Sequence, residues 1–109
     1  MNAMTLIVER LTTLLDGVEG FPATVLFDCG DEGAVLIDGV SGKIVVTTER
    51  APADCQITMS AAIFQRILNG ELDETSAFMQ GEMRIAGEIG LATRVSDLIR
   101  ARAQSAQHT

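Results

Sequence analysis

Tryptophan and tyrosine are absent from this chain, and lysine (Lys43) and histidine (His108) each occur once. Each shortage removes a class of function. A Ser-His-Asp or Cys-His relay needs its histidine held in place by a third group, and His108 stands second from the end, so no nucleophilic enzyme and no His/Cys metal site is expected. Eight basic residues against 15 acidic ones give a formal net charge of −7 and a pI near 4.5. Gripping phosphates or an anionic bilayer requires clustered Lys and Arg, so nucleic acid is not an expected partner. No apolar run reaches the ~18–20 residues of a membrane span, which argues against stable membrane insertion. The first residues lack the basic stretch and apolar run of a secretory leader. Cys29 and Cys55 lack C-x-x-C spacing. Together these features lead us to expect a cytoplasmic protein whose two thiols are buried and reduced.

What the chain has instead is grease. Apolar residues make up 47% of its 109 positions, with 10 glycines besides, and the mean hydropathy is +0.25. The length suits one ordinary domain with a core of its own, so residues 1–109 are read as a single domain with a polar tail from about Ala103.

Along the chain, Ile7, Leu11, Leu14 and Val18 recur at helical spacing, with Leu15 widening the stripe, and predict a helix over Thr5–Asp16. Three short runs rich in Val and Ile follow, Thr24–Cys29, Ala34–Asp38 and Lys43–Thr48, joined by Gly-bearing turns as in an antiparallel meander. They lack strict alternation, so the sheet is expected to be covered on more than one side. Cys55–Met59 reads as a fourth strand. Ser60 is placed to cap a helix over Ala61–Leu68 that ends at Asn69-Gly70, and Asp73 to cap a second over Glu74–Met79. Met83–Ala86 reads as a fifth strand and Ile89–Arg102 as a last helix. This order makes an α+β domain, with about five mostly antiparallel strands in a single layer covered by helices.

The glycines of Gly81–Gly90 lack both the G-K-[ST] of a P-loop and the G-x-G-x-x-G of a dinucleotide site. Asp54 and Glu88 are the carboxylates a small enzyme would use as a base, and nothing in the sequence desolvates them. The expectation is therefore no enzyme and no cofactor.

Three ordered stretches carry a resemblance: D-C-Q-I-T-M-S from Asp54, A-I-F-Q-R-I-L-N-G-E-L-D from Ala62, and A-F-M-Q-G-E-M-R-I-A-G-E-I-G-L-A from Ala77. Asp54, Ile57, Met59, Ser60, Leu68, Gly70, Leu72, Asp73, Ala77, Phe78, Met79, Gly81, Met83, Ile85, Gly87, Glu88, Leu91 and Ala92 stand where the sterol carrier protein-2 (SCP-2) sterol-transfer family keeps such residues. The chain resembles a stand-alone, bacterial-type member of that family. The resemblance implies a five-stranded sheet layered with helices around an apolar tunnel, and a non-catalytic carrier of a hydrophobic small molecule such as a fatty acid, fatty acyl-CoA, sterol-like lipid or isoprenoid. The alternative it implies is an accessory module for a partner enzyme of lipid or ubiquinone synthesis. The chain departs from the eukaryotic protein of the family in lacking its basic character and its S-K-L-type peroxisomal address.

The candidate tunnel walls are Phe64, Ile67, Leu68, Phe78, Met79, Met83, Ile85, Leu91, Val95, Leu98 and Ile99. Taken singly, each also fits ordinary core, because periodicity cannot show a void. Met59, Met79 and Met83 add flexible thioethers suited to a surface that repacks. Arg84 and Arg94 are ordinary surface arginines or, alternatively, partners for a carboxylate or phosphate head.

Overall fold

In the computed structural model, which describes residues 2–107, the chain begins with a helix capped by Asn2. The Asn2 side-chain oxygen accepts the Thr5 N–H at 2.9 Å, so α1 spans Ala3–Leu14 and starts and ends slightly ahead of its apolar stripe. Ile7, Leu11 and Leu15 are fully buried, each worth about 1.5–3 kcal/mol of burial. Gly17, at φ 75°, turns the chain away from the helix.

The strands are β1 (Thr24–Asp28), β2 (Ala34–Asp38), β3 (Val45–Thr47), β4 (Cys55–Thr58) and β5 (Arg84–Gly87), in the spatial order β3-β2-β1-β4-β5. A 3-10 turn at Gly30–Glu32 joins β1 to β2. The meander β1-β2-β3 is antiparallel as expected, and so is β4 with β5. The β1–β4 pairing is parallel, which makes the sheet mixed.

Register sorts the side chains into two faces. Val46, Ile37, Val25 and Cys55 form one inner row, and Val35, Phe27, Ile57 and Ile85 the next. The helices pack on this inner face. Leu36, Leu26 and Gln56 form the outer row. There Leu26, Ala34 and Leu36 are covered by Ala51 and Ala53 of the segment between β3 and β4. This second cover explains why the strands show no clean alternation.

The helices α2 (Ala61–Leu68) and α3 (Glu74–Met79) are capped as their sequences predict. Ser60 accepts from the Ile63 N–H and Asp73 from the Ser76 N–H. The last helix, α4, runs Ile89–Gln107, so the helix continues through the stretch read as a tail from Ala103. Arg102 accounts for part of this extension: its guanidinium donates to the carbonyls of Leu14, the last residue of α1, and of Asp16 just past it, at 2.9 and 3.1 Å. Gly87 permits the approach of β5 to β4. It sits at φ 89°, and a Cβ there would run into the Asp54 carbonyl oxygen.

Candidate functional site

Three helices roof the β1-β4-β5 end of the inner sheet face, and the fit beneath them is incomplete. Phe64 of α2 stacks on Phe27 of β1, with ring centroids 4.6 Å apart. Beside this pair lies an apolar cavity of about 20 Å³, walled by Phe27, Ile57, Met59, Phe64, Ile67, Leu68, Met83 and Ile99, with Glu74 and Ser96 at its margin. That is room for about one water molecule.

The cavity lies between two open clefts. One, of about 270 Å³, has Ile57, Phe78, Met83, Ile85, Ile89, Ala92 and Ser96 among its walls. The other, of about 340 Å³, is bounded by Ile67, Leu68, Leu72, Ile99, Ala103 and polar residues of the α2–α3 turn. Glu74 and Ser96 line all three spaces. Arg100 lines both clefts and donates to Glu74 Oε2 at 2.8 Å and to Asp97 Oδ1 at 3.1 Å. The nearby Glu74 carboxylate holds the Arg100 guanidinium above its ordinary pKa.

The structure thus brings together most of the residues picked from the sequence. Phe64, Ile67, Leu68, Met83 and Ile99 wall the cavity, and Phe78 and Ile85 line the first cleft. Leu91 and Val95 are buried in the core and Leu98 packs against it, with none of the three at a cavity wall described above. Met79 is 80% exposed; α3 turns Ala77 inward and leaves Met79 outside.

Sequence reasoning missed Phe27, Ile57, Glu74, Ser96 and Arg100, which come from elements distant along the chain. Arg94 is committed elsewhere, donating to the Gly20 carbonyl at 3.2 Å with its guanidinium 5.2 Å from the Phe21 ring centre. Arg84 lies on β5 beside a separate cleft with Cys29, Glu32 and Ser60. Neither arginine lines the clefts beside the cavity.

Asp54 is a structural acceptor: its carboxylate takes the Thr24 N–H at 3.0 Å and ties the approach to β4 onto β1. Both thiols are free and buried. Burial, aided by the Glu32 and Asp28 carboxylates, pushes the Cys29 pKa up to about 11, and burial likewise raises that of Cys55. Such thiols are poor nucleophiles at neutral pH. His108, the one histidine, lies outside the described residues.

A five-stranded mixed sheet, roofed by helices over an apolar hollow flanked by clefts, defines an α+β fold of the SCP-2 type. Its class is that of a scaffold with a greasy interior. Residues 6–100 match the SCP-2 sterol transfer family, and the chain belongs to that family. Human sterol carrier protein 2 is 36% identical over 70 residues, which is 63% of this chain and 13% of that protein. The chain therefore spans only a small part of the curated relatives it matches. The apo form of sterol carrier protein 2 from Yarrowia lipolytica superposes with a TM-score of 0.71 at 19% identity, covering 95% of both chains. Sterol carrier protein-2 from Aedes aegypti, solved in complex with palmitate, gives 0.62 at 20% identity, covering 89% of this chain and 90% of that one. Among the described residues no helix is long and apolar enough to cross a membrane.

Proposed function

We propose that these 109 residues act as one non-catalytic, cytoplasmic lipid-binding domain, with a hydrophobic guest held between the sheet and α2, α3 and α4. The observation that carries this reading is the apolar cavity walled by Phe27, Ile57, Phe64, Met83 and Ile99, with a cleft on each side. Membership of the SCP-2 family and the palmitate complex of the Aedes aegypti relative support it.

Energetics support it as well. Each buried methylene is worth about 0.8 kcal/mol, so a 16-carbon chain grosses roughly 10 kcal/mol before ordering and association costs. At about 24 cal/mol per Å³, the 20 Å³ hollow costs only about 0.5 kcal/mol when empty. The unloaded protein therefore closes down at little penalty and expands to take its guest. Met59 and Met83, both at the cavity wall, suit walls that must repack.

Native mass spectrometry of the purified chain, with displacement of fluorescent acyl, sterol and isoprenoid probes, tests the reading. Uptake of at least one probe class at one molecule per chain is expected, and failure of all three would overturn it. Ser96→Phe places a ring where the cavity and both clefts meet. It is expected to abolish uptake while the thermal unfolding transition stays cooperative.

A second reading, an accessory module for an enzyme of lipid or ubiquinone synthesis, is favoured by Phe78, Met79 and Ile89. These are 52%, 80% and 62% exposed, on a chain whose acidic surface complements a basic partner. Stoichiometric recovery of one enzyme in a pull-down, lost in Phe78→Ser/Met79→Ser, is the result this reading expects.

A further inference from the structure

The hollow has about 20 Å³, room for about one water, so no long chain fits until a wall moves. The covering helices are unequally held. Ala61, Phe64 and Leu68 of α2 are buried, and Arg10 of α1 donates to the Leu68 carbonyl at 2.8 Å. Leu91, Ala92 and Val95 anchor α4. In α3 only Ala77 is buried. The chain turns on either side of α3 at Gly70 and Gly81, both at φ 77° and with free space where a Cβ would sit. Besides the packing of Ala77, α3 is linked to α4 by the Glu74–Arg100 ion pair, on the rim shared by the cavity and both clefts.

The charge on that rim is lopsided. Arg100 faces Glu74 and Asp97 directly, with Asp73 also acting on it, three carboxylates against one guanidinium. Two of its N–H groups, one on each terminal nitrogen, are engaged by Asp97 and Glu74. Arg102, further along α4, is spent on the Leu14 and Asp16 carbonyls. A carboxylate or phosphate head arriving here meets surplus negative charge and a cation already paired with two carboxylates. A hydroxyl or carbonyl head escapes that repulsion.

We infer that the guest passes between α3 and α4, that Glu74–Arg100 is the clasp across this portal, and that the portal favours long-chain molecules with an uncharged oxygen head over fatty-acid anions and acyl phosphates. The inference rests on the carrier reading above and gives it a ligand class and a route.

The test uses the full chain at neutral pH and low salt with two ligands of one chain length, oleyl alcohol and oleate, partitioned from phosphatidylcholine vesicles. Comparing each ligand between protein variants cancels its intrinsic hydrophobicity. In Glu74→Gln/Asp97→Asn, oleate affinity is expected to rise about ten-fold, while affinity for the alcohol stays within two-fold. The unsubstituted protein in 1 M salt, where the Debye length shrinks to about 3 Å, must show the same gain of oleate over the alcohol. This arm holds even if the variant folds poorly.

For the route, Glu74→Gln should speed release of the alcohol to acceptor vesicles several-fold. Arg50→Gln breaks the Arg50–Asp28 pair away from the portal and should not. Oleate binding indifferent to both the double variant and salt, with the alcohol bound, overturns the ligand class and leaves the carrier reading standing. Release unchanged in Glu74→Gln overturns the route. Binding of neither ligand to the unsubstituted protein removes the carrier reading for such chains, and the inference with it.

Discussion

The α1 side of the helical layer and its α3 side are built on opposite plans. On the α1 side, Ile7, Leu11 and Leu15 are sealed from solvent. Arginines from one helix cap the end of another there: Arg10 serves α2, and Arg102 the end of α1. On the α3 side a six-residue helix buries one alanine, exposes Phe78 and Met79, and meets α4 through an ion pair over a hollow. The contrast teaches that solidity and adaptability are allotted to different ends of one small core. Stability comes from the dry end, which leaves the other free to reshape around a guest.

The largest test of that contrast is truncation of one apolar side chain at each end. Leu11→Ala should cost about 2–5 kcal/mol by chemical unfolding, whereas Phe78→Ala, already half exposed, should cost less than about 1 kcal/mol. Equal losses would erase the distinction between the two ends.

A smaller effect comes from Asp28, whose carboxylate accepts the Gly30 N–H at 2.9 Å and pairs with Arg50 at 2.6 Å. The Gly30 hydrogen bond first, then Arg50, lowers its pKa below the usual carboxylate value. Lowering means the native state favours the charged form, so the stabilisation is present above the unfolded value of about 4 and lost as pH falls through the native one. Asp28→Asn should therefore be the less stable protein at pH 7, and the gap should close in acid-unfolding curves below about pH 4.

The smallest expected effect is at the clasp. Arg100 is half exposed, and such pairs contribute about 0.2–1 kcal/mol. Glu74→Gln should accordingly lower the melting temperature by about 1–8 °C, taking about 4–8 °C per kcal/mol. A larger drop would mean that α3 is as firmly built in as α1.

Much of this architecture was legible residue by residue. Ser60 and Asp73 announce their helices through side chains that can take a free N–H. The Ala34–Asp38 strand is bounded by Gly33 and Gly39, so its limits show. Asn2 was passed over because the apolar stripe of α1 begins after its cap. The extension of α4 past Arg102 was missed because Ala103 to Gln107 carries no apolar face. That stretch follows a helix anchored by Leu91, Ala92 and Val95 and held by Arg102, and the helix carries it along.

The candidate site was half visible. Phe64, Met83 and Ile99 lie on stripes that must face inward, so they could be picked out. Phe27, Ile57 and Ser96 belong to elements far apart in the chain, and no local pattern links them. The Glu74–Arg100 pair was equally hidden, since 26 positions separate its partners.

By itself the sequence determined the α+β class, the helix caps, the apolar stripes, the acidity and, through ordered motifs, the family. These rest on local geometry and composition, which each segment carries wherever it is placed. Only the tertiary structure decided that β4 lies parallel beside β1, that a hollow of one water's size remains under α3, and that one ion pair spans its rim. Those features depend on how side chains from distant segments fill, or fail to fill, the same volume.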